Sequence, residues 1–309
     1  MSAKLKRRLA LIHILPLVLA GIVLFAPKQR SGVAEPWALL AAMAVIELLF
    51  VYFLRRRQRK GTNASGLCDI ISFIWLLLIA WEIFTSVTGA AHPVLVPEPE
   101  NVFDTFREQW DVLALNILYS LQLLVTGFAI GMAAAIACGL AAGWYGRLRD
   151  FVYPIANVLA PIPPVVFSPY LVAIMPSFRS ASAAVIVLGV FWPALLTTIN
   201  RVAGMDRRIL DSAKMLDLGD GTMLFRVLLP YILPGVISGL RVSVTTSLLM
   251  LNFAELMGAT HGMGYYIQNS ITYANYTHAV AGIVCIGLVV TVLNALVRKV
   301  QARAVKWRE

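Results

Sequence analysis

The sequence predicts an all-α polytopic membrane protein with about eight transmembrane helices. Three observations carry that expectation. Apolar residues make up 59% of the chain and gather in blocks of 18 to 26 residues. About 20 mostly apolar residues in a helix cross a hydrocarbon core about 30 Å thick. Charged residues are only 14% of the chain, against about 25% in a soluble globular protein, and mean hydropathy is +0.78. The basic residues stand at the ends of the apolar blocks, concentrated on one side of the implied membrane.

The candidate spans, in order, are Leu9–Ala26, Trp37–Leu54, Ile70–Val87, Ser120–Ala142, Phe151–Met175, Ala183–Asn200, Ile232–Met257 and Ala279–Val297. The first follows Lys4, Lys6, Arg7 and Arg8 and so resembles a signal peptide. At 18 residues, with no small-x-small cleavage site after it, it is expected to remain as a helix. Threading eight spans puts 21 Lys and Arg on the side of both termini and four on the other, namely Lys28, Arg30, Arg107 and Arg179. The positive-inside rule then makes both termini, and the Arg201–Arg226 loop, cytoplasmic. It also accounts for the net charge of +10 without a nucleic-acid partner, because the cations do not interleave with exposed aromatics.

Several elements carry more than hydropathy. In the fourth span Gly127, Gly131, Ala135, Gly139 and Gly143 recur every four residues, so one helix face admits close approach of another backbone. Packing within the chain and contact with another subunit both fit that pattern. The fifth span holds Pro154, Pro161, Pro163, Pro164, Pro169 and Pro176. Interior prolines break helices, and unpaired backbone at membrane depth survives only inside protein or beside a wet cavity. Pro161, Pro163 and Pro164 are therefore expected to face the interior or a pathway. The outer loop Gly89–Asp111 is acidic, with a helix expected over Val102–Leu115; the later Gly258–Thr277 loop carries no charge.

The cytoplasmic loop from Arg201 to Arg226 has five basic and four acidic residues, more than topology requires. Asp206 is placed to cap a helix beginning at Arg207. Ile209, Ala213 and Leu216 fall on one face of it, and Gly219 and Gly221 are expected to end it. A helix lying on the bilayer surface and a helix docking into a cytoplasmic partner both fit.

The segment DSAKMLDLGDGTMLFRVLLPYILP, Asp211–Pro234, resembles the EAA loop of ABC importer permeases. Asp211, Ser212 and Ala213 match its E-A-A start, and Leu229–Pro230 its leucine-proline. Asp217 stands where that motif has glycine, and Gly219 lies two positions later. HPVLVPEPENVFDTF, APIPPVVFSPYLVAIM and AELMGATHGMGYYI also resemble the nitrate, sulfonate, taurine and bicarbonate subgroup. The likeness runs from about Ile70 to the C-terminus. It implies a type I ABC importer-like six-helix core over residues 67–309, with a coupling loop at about 201–231, and a two-helix extension over residues 1–66.

The resemblance further implies two cytoplasmic ABC ATPase subunits that bind ATP and Mg, with Asp211, Ser212, Ala213, Leu216, Asp217, Gly219, Leu229 and Pro230 forming the contact to them. It implies a second permease subunit, by default identical, an extracytoplasmic solute-binding protein and residence in the inner membrane. The chain itself has no GxxxxGK[ST] loop to cradle phosphates, so it is expected to be a non-catalytic subunit without a cofactor of its own. The solute class implied is a small anion such as a sulfonate, taurine, nitrate or bicarbonate, with vitamin precursors carried by related permeases.

Ionisable residues inside spans are functional candidates by default. Glu47, Glu82, Arg241 and Glu255 qualify, with Asp69 at a membrane edge. Glu255 is expected to hold the Gly258–Gly264 turn by hydrogen bonds, and Glu47 to pair with a neighbouring helix. Arg241 either lines the cytoplasmic half of a pathway or snorkels to the interface. Tyr265 and Tyr266 fit an aromatic belt, and His261 and His278 read as exposed polar residues. The three cysteines and four histidines show no metal-ligand spacing. An ion-coupled transporter or channel is the alternative class, although matched broken helices in inverted repeats are not apparent.

Overall fold

The computed structural model describes residues 3–30, 32–59 and 65–304. Lys60 and the tail beyond Ala304, both counted in the charge asymmetry above, lie outside the described residues. Within them every regular element is helical. The helices are α1 (Ala3–Phe25), α2 (Trp37–Arg59), α3 (Ser65–Glu82), α4 (Pro99–Glu108), α5 (Trp110–Trp144), α6 (Gly146–Leu159), α7 (Ser168–Ile174), α8 (Phe178–Ala203), α9 (Arg207–Met215), α10 (Asp220–Thr222), α11 (Leu229–Leu256), α12 (Met263–Thr272) and α13 (Tyr276–Ala304). Helix is what long apolar runs must form in lipid, where each backbone N–H and C=O has to be satisfied within its own segment.

Among the described residues six helical stretches are long and apolar enough to cross a membrane: Trp37–Arg59, Ser65–Val87, Trp110–Trp144, Phe178–Ala203, Asp220–Leu256 and Tyr276–Arg303. Pro164–Ile174 and α6 form a further pair, bent by 85° at the Pro161–Pro163 break. The apolar part of α1 is Ile12–Phe25. The expected helix over Val102–Leu115 is in fact two, because α4 ends at Glu108 and α5 starts at Trp110.

The chain divides into two compact units, Met1–Leu113 with Asn269–Val284, and Ala114–Gln268 with Cys285–Glu309. In the first, α1 packs on α3 and α2 on α4, around Leu19, Leu39, Phe50 and Trp75. Glu47 of α2 meets His13 of α1. The linker between α1 and α2 is tied to the acidic outer loop. Lys28 Nζ donates to Glu100 Oε1 at 2.8 Å, and Arg30 Nη1 donates to Glu98 Oε1 at 2.8 Å. Arg30 also donates to the carbonyls of Val96 and Ala91, and the Ala34 N–H donates to Asn101 Oδ1 at 2.6 Å. Glu100 and Glu82 are fully buried here.

In the second unit α8 is the central post. The small-residue stripe of α5 lies against it: a Cβ on Gly139 would come within 2.6 Å of Thr198 Cβ, and one on Gly143 within 2.6 Å of Val202 Cβ. Packing within the chain is therefore what the stripe serves. The other flank of α8 carries the broken span. Ala156 of α6 packs by Leu195 and Ile199, towards the C-terminal end of α8. Leu171 of α7 packs by Ala181 and Val185, near its N-terminal end. The bent pair thus touches α8 towards both of its ends. Of the three prolines at its break only Pro164 is buried. Of the two placements expected, Pro164 takes the interior one, while Pro161 and Pro163 stand on the surface of the single chain. α11 packs along α8 as well.

Candidate functional site

The second unit carries two candidate sites, one after α8 and one after α11. The first is a helical hairpin. Asp206 Oδ1 accepts the Arg208 N–H at 2.9 Å, capping α9, as short side chains with an acceptor oxygen do at helix starts. Ala213 is buried in a cluster with Met205, Met223, Leu228 and Ile232, and Leu210 and Leu218 pack against it. Ile209 and Leu216 point outward instead, Leu216 71% exposed, with Met215 88% exposed. The single apolar face expected from Ile209, Ala213 and Leu216 is corrected accordingly. The helix ends at Met215, so the seven-residue relation to Leu216 no longer holds.

The turn that ends α9 is made by Asp217, whose φ is +48°. Left-handed backbone is disfavoured for L-residues and tolerated best by Gly, Asn and Asp. The residue at the motif's glycine position therefore adopts a glycine-like conformation. Gly219 and Gly221, expected to break the helix, do not; Gly219 has φ −61° and precedes α10. Asp211 and Ser212 are exposed, and Ser212 Oγ donates to the Arg208 carbonyl at 2.7 Å.

The hairpin returns through Asp220, which is anchored to the end of α5. Trp144 Nε1 donates to Asp220 Oδ1 at 3.1 Å and the Tyr145 hydroxyl donates to Asp220 Oδ2 at 2.9 Å. The second bond holds the Tyr145 phenol above its ordinary pKa. Met223–Leu228 then forms a wider π-helical turn, in which Leu229 N–H donates five residues back to the Leu224 carbonyl. It falls where Pro230 has no N–H to give the ladder. Leu229 and Pro230 open α11, a position where proline's missing donor costs little.

The second structure is the outer turn between α11 and α12. Glu255, 2% exposed, accepts the Ser120 hydroxyl at 2.7 Å through Oε1 and the Gly264 N–H at 2.8 Å through Oε2. Ser120 Oγ in turn accepts the Met263 N–H at 2.9 Å, and Asn116 Oδ1 accepts the Gly262 N–H at 2.8 Å. The leading N–H groups of α12 are thus satisfied by side chains of α5 and α11. Helix N-termini leave such donors free and carry partial positive charge, which suits a buried carboxylate. The turn needs glycine twice. Gly258 has φ +131° with Phe178 against it, and Gly262 has φ +119° with Glu255 Cδ 2.4 Å from where a Cβ would stand.

The Gly258–Thr277 stretch is therefore not a loop but a turn and the ten-residue helix α12. Tyr266, assigned above to an aromatic belt, is buried; burial, with a smaller contribution from Cys285, pushes its phenol up to about 12. His261 stacks on Tyr119 with ring centroids 4.6 Å apart. These two border a cavity of about 290 Å³ that Glu255 and Arg179 also line. In the first unit, His278 is half-buried and bonded to Asn275. Arg241 is exposed on α11.

Asn116 and Ser120 were not singled out in the sequence. Their signal was there: two polar residues four apart, hence on one face, in an apolar helix.

The model of the family described as binding-protein-dependent transport system inner membrane component matches residues 127–306. The chain belongs to that family. The match contains the hairpin, Glu255 and the α12 turn, and it begins after Asn116 and Ser120. Among relatives of this permease is SsuC of Bacillus subtilis, which carries the provisional name of aliphatic sulfonates transport permease protein. It is 25% identical over 256 residues, 82% of this chain and 92% of its own. The nitrate import permease protein NrtB of Leptolyngbya laminosa is 26% identical, over 75% of this chain and 85% of its own. The taurine transport system permease protein TauC of Escherichia coli is 24% identical, over 81% and 91%. In fold, the permease resembles a chain solved in inward-facing conformations of the MetNI methionine ABC transporter. The TM-score is 0.50 at 19% identity, covering 65% of this chain and 95% of that one. The permease is thus an ABC importer permease, with an all-helical fold of that type.

Proposed function

We propose that this permease works as one of a pair, by default two identical copies, in the inner membrane with both termini cytoplasmic. In this reading two ATPase subunits bind ATP and Mg and grip the α9 hairpin. A solute-binding protein outside delivers a small anion, of the sulfonate, taurine or nitrate class named for relatives. The chain moves the solute but hydrolyses nothing. Residues 67–309 are the transporting core and residues 1–66 an extension to it.

The observation that carries this reading is the two-faced hairpin. Ala213 is fixed in the chain's own core, while Asp211, Ser212, Met215 and Leu216 project outward with large apolar area uncovered. Exposed apolar area rimmed by polar groups marks an interaction surface. Rigid anchoring on one side is what lets a partner's movement pass into α11, which begins at Leu229–Pro230.

Purification in mild detergent tests it: stoichiometric ATPase subunits should accompany the permease. Asp211→Lys should preserve insertion and weaken that association. Full assembly and full ATP-driven uptake by the variant would refute the contact. Uptake by the permease alone in liposomes, driven by an ion gradient without ATP, would refute the importer reading altogether.

A further inference from the structure

The seam between α8 and α11 borders a second, open-sided cavity of about 290 Å³, reaching from Gly189 to Arg201 along α8. Its lining is mostly apolar, and Arg201 is the one charged residue in it. No Asp, Glu, Asn or Gln lines it to answer that charge. The hydroxyls of Thr197, Thr198 and Thr246 donate back to the carbonyls of Pro193, Ala194 and Val242 in their own helices. Arg201 Nε is shielded from solvent and makes no hydrogen bond.

The guanidinium lies directly against the backbone of α11. At Gly235, facing it on α11, a Cβ would stand 1.5 Å from Arg201 Nη1, so the guanidinium occupies the volume any other residue would fill. The C-terminus of α8 offers a cation some stabilisation through its partial negative charge. That would be available to an arginine pointing outward, and does not call for one turned into a cavity. Arg201 is half-buried, and its Nε lies out of water without an acceptor; a buried polar group left unpaired is costly, and an anion in the cavity removes that cost. A guanidinium donates two parallel N–H groups, and its complement is a pair of oxygens on one small anion.

We propose that Arg201 is the anion contact of a solute site in the α8–α11 cavity, which takes small oxyanions presenting two oxygens side by side, as sulfonates and nitrate do. This rests on the importer reading and adds to it a residue that touches the solute inside the membrane domain. Lipid phosphate offers the same chemistry, so the test separates the two sources.

The permease, purified with its ATPase partners, is treated with phenylglyoxal, and labelling of Arg201 is followed by peptide mass spectrometry. Arg147, exposed and outside the cavity, is the internal reference. Methanesulfonate or nitrate should slow labelling at Arg201 and leave Arg147 unchanged. Absence of protection by either anion overturns the proposal. So does protection by phosphatidylglycerol vesicles but not by the soluble anions, which assigns the cavity to a headgroup.

In proteoliposomes with the binding protein, R201Q should lower solute moved per ATP hydrolysed by about tenfold, the worth of one charge-assisted hydrogen bond. Gly235→Ala, which displaces the guanidinium without removing it, should lower the ratio in the same direction. Undiminished transport by R201Q, in a complex that assembles and takes up solute with ATP, refutes the role of Arg201 alone. A wild-type preparation that needs no ATP refutes the importer reading instead.

Discussion

At the scale of single residues, Glu255 is the clearest case of a charge given a structural task. Its two oxygens hold Ser120 and Gly264, so truncation strands buried donors. Glu255→Ala should destabilise by about 1–3 kcal/mol, read as a lower melting temperature in detergent. Hydrogen exchange at Gly262, Met263 and Gly264 should accelerate with it. Glu255→Gln, which keeps an acceptor, should lose less. Tyr266 offers a pH test. The folded phenol is pushed up to about 12, while the unfolded one ionises near 10. Between those values the unfolded chain has released the proton that the folded chain keeps, so stability falls as pH rises through that window. An absorbance titration of wild type against Tyr266→Phe should show the missing tyrosine ionising near the upper value. Glu255 was legible in the sequence as an isolated charge in an apolar run. The inward aim of Arg201 was not. Its charge identifies a side of the membrane, but its direction depends on which helix lies opposite, and that is set by packing far along the chain.

At the scale of elements, the α5 stripe and the α1–α2 linker make opposite kinds of contact. Gly139→Leu inserts bulk where a single Cβ already meets Thr198 at 2.6 Å. Overpacking of that kind costs about 1–3 kcal/mol, measurable by thermal unfolding. Gly287→Ala in α13, with nothing near the new carbon, should instead stabilise by about 0.5–1 kcal/mol through helix propensity. The linker is held by ion pairs whose carboxylates are buried, so Lys28→Met leaves Glu100 unmatched in the interior. The expected loss is about 3–5 kcal/mol, with faster proteolysis of the linker. Lys28→Met with Glu100→Met should recover much of it. The stripe could be read from spacing because a period of four maps onto one helix face. The linker pairs could not. They join residues about 70 positions apart, and opposite charges on two outer loops do not reveal which loops meet.

At the scale of the whole molecule, hydrophobic runs and charge asymmetry were enough to set out the helices, because lipid leaves the backbone few choices. They were silent on grouping: α3 counts as the first core helix by resemblance, yet it packs with α1 in the first unit. The proposed orientation predicts that a cysteine at Ser212 reacts with an impermeant maleimide only from the cytoplasmic side. One at Val94 should react only from the other side; labelling of both from one face would overturn the topology.

From Asp220 to Leu256 the backbone is helical for 37 residues without a connecting loop, about 55 Å at 1.5 Å per residue. One end is bolted to Trp144 and Tyr145, and the other carries Glu255, which clasps the start of α12. In the proposed reading, where partner subunits grip the hairpin, this stretch serves as a pushrod. A shove at the hairpin has no slack segment in which to dissipate before it reaches the far rim, save the π turn and the prolines close to the driven end. Spin labels at Thr222 and Met257 should keep their separation through a transport cycle while both shift against α8.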